Sequence, residues 1–332
     1  MKYINLKTFG LLACSLLAAC HTEEVPVFDD TNALQLSSVS LEGDMAVKSI
    51  VTSIEKVNIY TTKPTTHEPL TTNALSTYTY SGGAWKSDTP PSLDPPQPPS
   101  QDGDYSIYAY YPVENNGNPI TVTNSADGNH TISVYVRSED TFEGDQNDYL
   151  YAASCPITAS SAHKVISLTM MHALAKVTFQ IRKSDAATER LTLNNIEVHS
   201  QTSRLQSGEN GTMNLVTGQL NGLASGSSIL LTSSTGGATL SSTPTDISAL
   251  MAPMSGPEQV LSFKLTVTVA GEATPRVFET KSVTSSDSNG EQWEAGKEYI
   301  YQIKVDKTGS SIEGVKVYDW KTGADQNTQV GI

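Results

Sequence analysis

Apolar and polar side chains alternate along much of this 332-residue chain, with the period of two that is typical of β-strands. The clearest run is Tyr105–Tyr111, whose odd-numbered residues are predicted to face one side of a sheet while Tyr108 and Tyr110 face the other. Pro112 follows and ends the strand. No stretch keeps an apolar period of 3.6 residues over three turns, so the sequence predicts an all-β fold of short strands.

A second strong run, Ala173–Ile181, predicts buried odd-numbered residues and an outer face formed by Lys176, Thr178 and Gln180. Shorter or weaker alternation predicts the remaining strands. These are Val57–Tyr60, Thr77–Tyr80, Ile132–Val136, Val165–Met171, Leu191–Val198, Ile247–Met251, Val260–Val269, Arg276–Thr280, Tyr299–Val305 and Val315–Trp320.

The strand pattern is interrupted at Arg182–Asp185 and then restarts, which predicts two β-sandwich domains, 37–184 and 185–332. Turn residues at Ser81–Gly83 and within Gly211–Gly218 predict hairpins. Six of the ten residues of Pro90–Pro99 are proline, so this segment is expected to be a stiff surface loop.

The N-terminus has the layout of an export signal. Lys2 and Lys7 precede the apolar run Phe9–Leu17, which is too short to span a membrane. The residues that follow, ending in Ala19 and Cys20, resemble the lipobox of bacterial lipoproteins. That resemblance implies a signal peptide at 1–19, cleavage between Ala19 and Cys20, and acylation of Cys20. Two or three acyl chains would anchor the mature protein firmly.

Residues 20–36 are polar and acidic and are predicted to form a tether between the lipid and the first strand. Glu23, Glu24, Asp29 and Asp30 resemble the acidic tag that sends some lipoproteins to the outer face of the outer membrane. A plain solvated linker has the same composition, so both interpretations stay open.

Charge and cysteine content limit which partners and which covalent crosslinks the chain can have. The chain has 21 basic and 35 acidic side chains, for a net charge of −14, and its basic residues do not cluster, which argues against nucleic acid as a partner. Of three cysteines, Cys14 leaves with the signal and Cys20 is the expected lipid site. Cys155 is then left alone, so no intrachain disulfide is expected.

The sequence shows no catalytic or cofactor-binding motif, and no cofactor is expected. His172 stands between two strong strands and is expected to be packed or hydrogen-bonded. Calcium binding is an alternative for the acidic segment 139–148, although the ordered calcium-loop pattern is missing and a solvated loop is favoured. The carboxylates of that segment are Glu139, Asp140, Glu143, Asp145 and Asp148.

Several stretches, taken in order, resemble the fimbrillin family, which supplies the subunits of type V pili. They are Tyr105–Pro112, Asp148–Ala152, Val165–Phe179, Trp293–Tyr301 and Ile312–Trp320, and the core His172–Val177 is the most specific among them. The resemblance implies two tandem transthyretin-like β-sandwiches after the signal peptide, and a non-enzymatic structural or adhesive protein.

The resemblance also implies assembly by β-strand addition: a protease removes the first strand, and a strand of a neighbouring subunit fills the groove. The implied partners are the outer membrane through the lipid, other fimbrillin subunits, and a host or bacterial surface ligand. The implied location is the outer membrane, exposed on the cell surface or in a fimbrium. The candidate donor strand is the tail, with Val315, Val317, Val330 and Ile332.

The chain departs from the family in one respect. Stalk subunits are commonly cut after an arginine upstream of the first domain core, whereas the first arginine here is Arg137; Lys48, Lys56 and Lys63 are the basic residues available earlier. Stalk, anchor and accessory roles therefore all stay open. Two alternatives remain: a non-polymerising surface lipoprotein that binds glycan or host ligand through its loops, and an enzyme such as a glycoside hydrolase.

Overall fold

The computed structural model describes residues 32–42, 54–71, 73–93, 104–142, 146–254, 260–283 and 292–320, and all regular elements in these ranges are β-strands. The all-β prediction is confirmed. No helix able to cross a membrane occurs in these ranges. The expected signal peptide (1–19) and residues 20–31 of the tether (20–36) lie outside them.

The strands of the first half are β1 (Gln35–Leu41), β2 (Lys56–Thr62), β3 (Leu75–Ser81), β4 (Ala84–Lys86), β5 (Asp104–Tyr111), β6 (Glu114–Asn115), β7 (Asn118–Pro119), β8 (Val122–Thr123), β9 (Thr131–Val136), β10 (Glu139–Thr141), β11 (Leu150–Ala152), β12 (Ile157–Ser160), β13 (Val165–His172) and β14 (Ala175–Lys183). Those of the second half are β15 (Leu191–Ser200), β16 (Leu205–Asn214), β17 (Leu220–Asn221), β18 (Ala224–Gly226), β19 (Ser228–Thr232), β20 (Ala238–Thr239), β21 (Thr245–Met251), β22 (Leu261–Val269), β23 (Arg276–Glu279), β24 (Lys297–Val305) and β25 (Ser310–Asp319).

The first sheet has the order β1-β13-β11-β5-β2-β3-β4, with β12 also paired to β5. Its two end strands, β1 and β4, contact each other, so the sheet curls around one of its own faces. The apolar side chains enclosed there form what we call the first core. It includes Leu34, Leu36, Leu41, Ile54, Val57, Ile59, Tyr78, Leu93, Ile107, Leu150, Ile166, Leu168 and Met170.

The central strand β5 is buried on both faces, and its side chains alternate between them as the sequence predicts. Tyr105, Ile107 and Ala109 lie in the first core. Tyr108 and Tyr110 point to the other side, into a second cluster that we call the tyrosine core. Because β5 separates two cores, nearly all of its side chains are buried.

The tyrosine core lies between the first sheet and a second sheet of order β17-β16-β9-β8. The phenol groups of Tyr60, Tyr110 and Tyr149 are hydrogen-bonded, which offsets the cost of burying them. The Tyr110 hydroxyl donates to the Ile120 carbonyl at 2.7 Å, and the Tyr135 backbone N–H donates to the Tyr149 hydroxyl at 2.9 Å. Ile132, Val134 and Val136, the alternate residues of the predicted strand, face inward on β9 and supply the opposing apolar surface.

A third cluster, the C-terminal core, fills a sandwich of two further sheets, β10-β19-β15-β22-β23 and β21-β14-β24-β25. Phe179 on β14 and Tyr301 on β24 come from one sheet, and Phe263 on β22 comes from the other. The Phe263 ring lies 5.1 Å from Phe179 and 4.6 Å from Tyr301, edge to face in both cases. This interlayer contact is the centre of the sandwich.

The prediction that Lys176, Thr178 and Gln180 face outward on β14 is wrong for Thr178. Val177, Phe179 and Ile181 are buried as expected, but Thr178 is buried as well. Its hydroxyl donates to the Glu298 carboxylate at 2.9 Å. The prediction placed solvent on the outer face of β14, whereas the buried Glu298 carboxylate of the neighbouring strand β24 lies there.

Strand pairings cross the sequence boundary at residue 184 in three places. β14 lies between β21 and β24, β10 pairs in parallel with β19, and β16 pairs antiparallel with β9. Strands of the two halves of the chain are therefore interleaved. Both predicted hairpins are present: β3–β4 turns at Gly82 and Gly83, and β16–β17 turns after Asn214.

Candidate functional site

The strand β1 is the element in the described structure that best fits exchange with another chain. It lies at one end of the first sheet and pairs in parallel with β13. Leu34, Leu36 and Leu41 insert into the first core and are at most 5% exposed. The pairing register shifts between Leu36 and Ser38, which gives β1 an irregular inward pattern.

Polar contacts fix the register of β1 on β13. The Ser37 hydroxyl donates to the Ile166 carbonyl at 2.9 Å, and the Ser40 hydroxyl donates to the Leu168 carbonyl at 3.3 Å. A donor strand that replaced β1 would need apolar side chains for the core and backbone groups for β13.

The other side of β1 is closed by residues 91–93, the described part of the proline-rich segment. Leu34 N–H donates to the Pro91 carbonyl at 2.9 Å, and Leu93 N–H donates to the Asn32 carbonyl at 2.8 Å. The buried Tyr78 hydroxyl donates to the Leu34 carbonyl at 2.7 Å. The segment Pro90–Pro99 was predicted to be a surface loop, but Leu93 within it is fully buried in the first core.

The C-terminal strand β25 completes the chain's own sandwich. Val315 and Val317 pair with Tyr301 and Tyr299 on β24, and both pack against the C-terminal core. The remaining candidate donor residues, Val330 and Ile332, lie outside the described residues, as do the lipidation residues Ala19 and Cys20.

Trp320, directly after β25, connects the end of the sandwich to the first sheet. Its ring stacks on His172 at 3.8 Å, and His172 Nδ1 lies 2.7 Å from Asp148 Oδ2. Desolvation raises the pKa of the Asp148 carboxyl, and the bond to His172 opposes this effect. His172 is thus both packed and hydrogen-bonded, as the sequence predicts.

The carboxylates of the acidic segment do not gather around one point. Asp140 is bound by Arg137 at 2.9 Å, and Asp148 is bound by His172; Glu143 and Asp145 lie outside the described residues. In the part of the chain that the structure describes, no group of three or more His, Cys, Asp or Glu side chains could hold a metal ion. Burial raises the pKa of the Cys155 thiol to about 11, so a reactive thiolate is not favoured at neutral pH.

Two polar features escaped sequence analysis. The first is the ion pair between half-buried Lys176 and buried Glu298, whose charges lie opposite each other on β14 and β24. Opposite charges facing each other on paired strands would be a signal, but the two strands were predicted to lie in different domains. The second is a polar cleft beside Tyr111, built from four separate segments of chain, which periodicity cannot reveal.

The fold is similar to solved structures of three proteins from Bacteroides. A proposed cell adhesion protein of Bacteroides uniformis shares 20% identity at a TM-score of 0.52, covering 88% of this chain and 100% of that one. A proposed cell adhesion protein of Bacteroides ovatus shares 16% identity (TM-score 0.55, 89% and 99% covered). A fimbrial protein of Bacteroides vulgatus shares 12% identity (TM-score 0.55, 87% and 99% covered). At these identities the likeness establishes the shared all-β fold.

The family follows from the sequence itself. The family model described as fimbrillin-like matches residues 46–320, and the chain therefore belongs to the fimbrillin-like family. The resemblance stated from sequence is confirmed. No curated protein sequence matches the chain.

Proposed function

We propose that the protein is a non-enzymatic, lipid-anchored fimbrial or adhesive protein of the outer membrane surface, built as two tandem transthyretin-like sandwiches and joined to neighbouring subunits by β-strand addition. Family membership and the fimbrial and adhesive descriptions of its structural relatives support this class. The observation that carries the assembly step is the position of β1. It lies at the end of a sheet, and leucines in and next to it fill part of the first core.

In this proposal a protease cuts between β1 and β2, and β1 leaves its groove. Arg137 is a poor processing site, because its guanidinium is paired with Asp140 and its N–H is bound by the Gln146 side chain at 3.0 Å. Lys48 lies between the two strands in sequence and is the residue we assign to processing. A neighbouring subunit then supplies apolar side chains to Ile166, Leu168 and Met170 of the vacated groove.

The donor in this proposal is the C-terminal tail. Val315 and Val317 hold the start of the tail in β25, and Val330 and Ile332 insert into the groove that β1 has left in the neighbouring subunit. A second candidate function, a non-polymerising surface protein that binds glycan, is favoured by the polar cleft beside Tyr111.

Assembly is tested in cells that express the full chain. We expect wild-type surface material to contain a high-mass ladder that survives mild denaturation, and Lys48→Gln and deletion of Thr322–Ile332 each to leave folded monomer only. Lys63→Gln is the matched control and should keep the ladder, because Lys63 follows β2 and its cut would not free β1. No ladder in wild type, or a full ladder in both variants, would overturn the assembly mechanism.

A further inference from the structure

A cleft of about 380 Å³ opens at the end of the first sheet where β2 begins and β5 ends. Its walls come from Glu55 and Lys56 on one side, Tyr111 and Glu114 on another, and Arg137 and Asn147 on a third. The volume is in the range of small-molecule sites. The strand-exchange proposal does not use this cleft.

One wall of the cleft is a rigid hairpin. β6 and β7 are joined by Asn116 and Gly117, both with positive φ (50° and 75°), as a two-residue type I′ turn requires. The Asn147 amide donates to the Asn115 side chain at 3.3 Å and ties the hairpin to the opposite wall. The cleft is therefore formed before any ligand arrives, which lowers the entropic cost of binding.

The charges lining the cleft are mixed. Glu55, Glu114, Lys56 and Arg137 carry both signs, and Arg137 is already paired with Asp140. The cleft therefore has no excess positive charge that would favour an anionic ligand. Its carboxylates, amides and phenol instead offer donors and acceptors suited to a neutral ligand with many hydroxyl groups.

An aromatic pair of exposed Tyr80 and half-buried Trp85 lies near the same cleft, on β3 and β4. Tyr80 N–H donates to the Glu55 carbonyl at 2.8 Å, which puts Tyr80 directly across from a residue of the cleft wall. The Tyr80 side chain is 51% exposed, and its ring lies 5.5 Å from Trp85 on the neighbouring strand. Aromatic faces held at a surface in this way pack against the C–H faces of sugar rings while the hydroxyl groups remain free for polar contacts.

We propose that this cleft, together with the Tyr80–Trp85 pair, binds a short neutral oligosaccharide. The aromatic pair would stack on one sugar ring, and Glu55, Glu114, Asn147 and the Tyr111 hydroxyl would bind the hydroxyl groups of the next. This inference rests on the proposed adhesive function and names the ligand class for it. It does not depend on polymerisation.

The test uses purified full-length mature chain on an array of neutral, sialylated and sulfated oligosaccharides, followed by calorimetry with the best neutral one. We expect neutral oligosaccharides to bind, and Tyr80→Ala and Glu55→Gln each to weaken binding at least about tenfold, or about 1.4 kcal/mol. The matched controls Tyr318→Ala and Glu272→Gln lie outside the cleft and should bind as wild type does.

Thermal melting of each variant checks that the fold is intact, and Tyr80 is exposed enough for its loss to be tolerated. Binding confined to sialylated or sulfated glycans, no binding to any probe, or wild-type affinity in both cleft variants would overturn the proposal. Because binding is measured on monomer, its failure is distinct from a missing ladder on cells.

Discussion

Lys176 Nζ lies 3.0 Å from Glu298 Oε1, and the Glu298 side chain is only 5% exposed. Thr178 donates to the same carboxylate oxygen. A carboxylate in this position needs its partners, because removing them leaves a poorly solvated charge between two strands. This small network joins a strand of the first half of the chain to one of the second half.

Lys176→Met should therefore destabilise the protein, although an outer-face lysine is ordinarily expendable. We expect a loss of about 1–3 kcal/mol in the free energy of unfolding, from the missing charged hydrogen bond. Lys316→Met, on the exposed side of β25, should change it by less than about 0.5 kcal/mol. Urea unfolding of both variants measures the difference, and equal small losses would show that Glu298 does not depend on Lys176.

His130 predicts a pH dependence of stability. Burial lowers the pKa of His130, nearby His67 lowers it further, and Asp127 opposes them. The ring packs edge-on against Tyr108 at 4.7 Å and Tyr60 at 5.2 Å. The pKa of His130 in the folded state lies below its unfolded value of about 6.5. Between these two pKa values the unfolded state binds more protons than the folded state, so stability is lost as the pH falls below about 6.5.

Replacing His130 should remove its contribution to the change of the free energy of unfolding with pH. We expect His130→Phe to show a flatter fall in the free energy of unfolding between pH 7.5 and 5.5 than wild type does. His163→Phe, at an exposed position, should keep the wild-type slope. The slope is the readout, because His130→Phe also loses the hydrogen bond from Ser125 N–H. An unchanged slope in His130→Phe would contradict the assignment.

Phe179→Ala should be among the most damaging core substitutions. The Phe179 ring is fully buried between Phe263 and Tyr301, so its loss leaves a cavity that the two sheets cannot close. We expect a cost of about 3–5 kcal/mol. Val277→Ala, at a position 62% exposed, should cost less than about 0.5 kcal/mol. Denaturant midpoints compare the two, and similar values would mean that the core centre is elsewhere.

Cys20→Ala tests the anchor. If Cys20 is acylated, this variant should leave the membrane fraction or accumulate unprocessed, and the mature protein should lose the mass of its lipid. Cys155→Ala is the matched control and should stay membrane-bound, since Cys155 lies within the folded body. Unchanged retention and mass in Cys20→Ala would rule out the lipoprotein assignment. Fractionation and mass spectrometry give both readouts.

The sequence predicts those parts of the fold that depend on local alternation. β5 is the best case, because each of its faces meets a separate apolar core and the period of two is sufficient to sort them. Thr178 shows the limit: its environment is decided by Glu298, far away in sequence. The Tyr111 cleft shows the same limit, since its walls are built by segments that only the fold brings together.

The pairing of β9 with β16 also constrains the order in which the protein can acquire its shape. Residues 205–214 must be available to pair with β9 before the aromatic layer beneath β9 can close. The side chains of the tyrosine core therefore stay exposed until β16, a strand much later in the sequence, has been made. Pairing between strands so distant in sequence slows folding and lengthens the time during which apolar surface is exposed to aggregation.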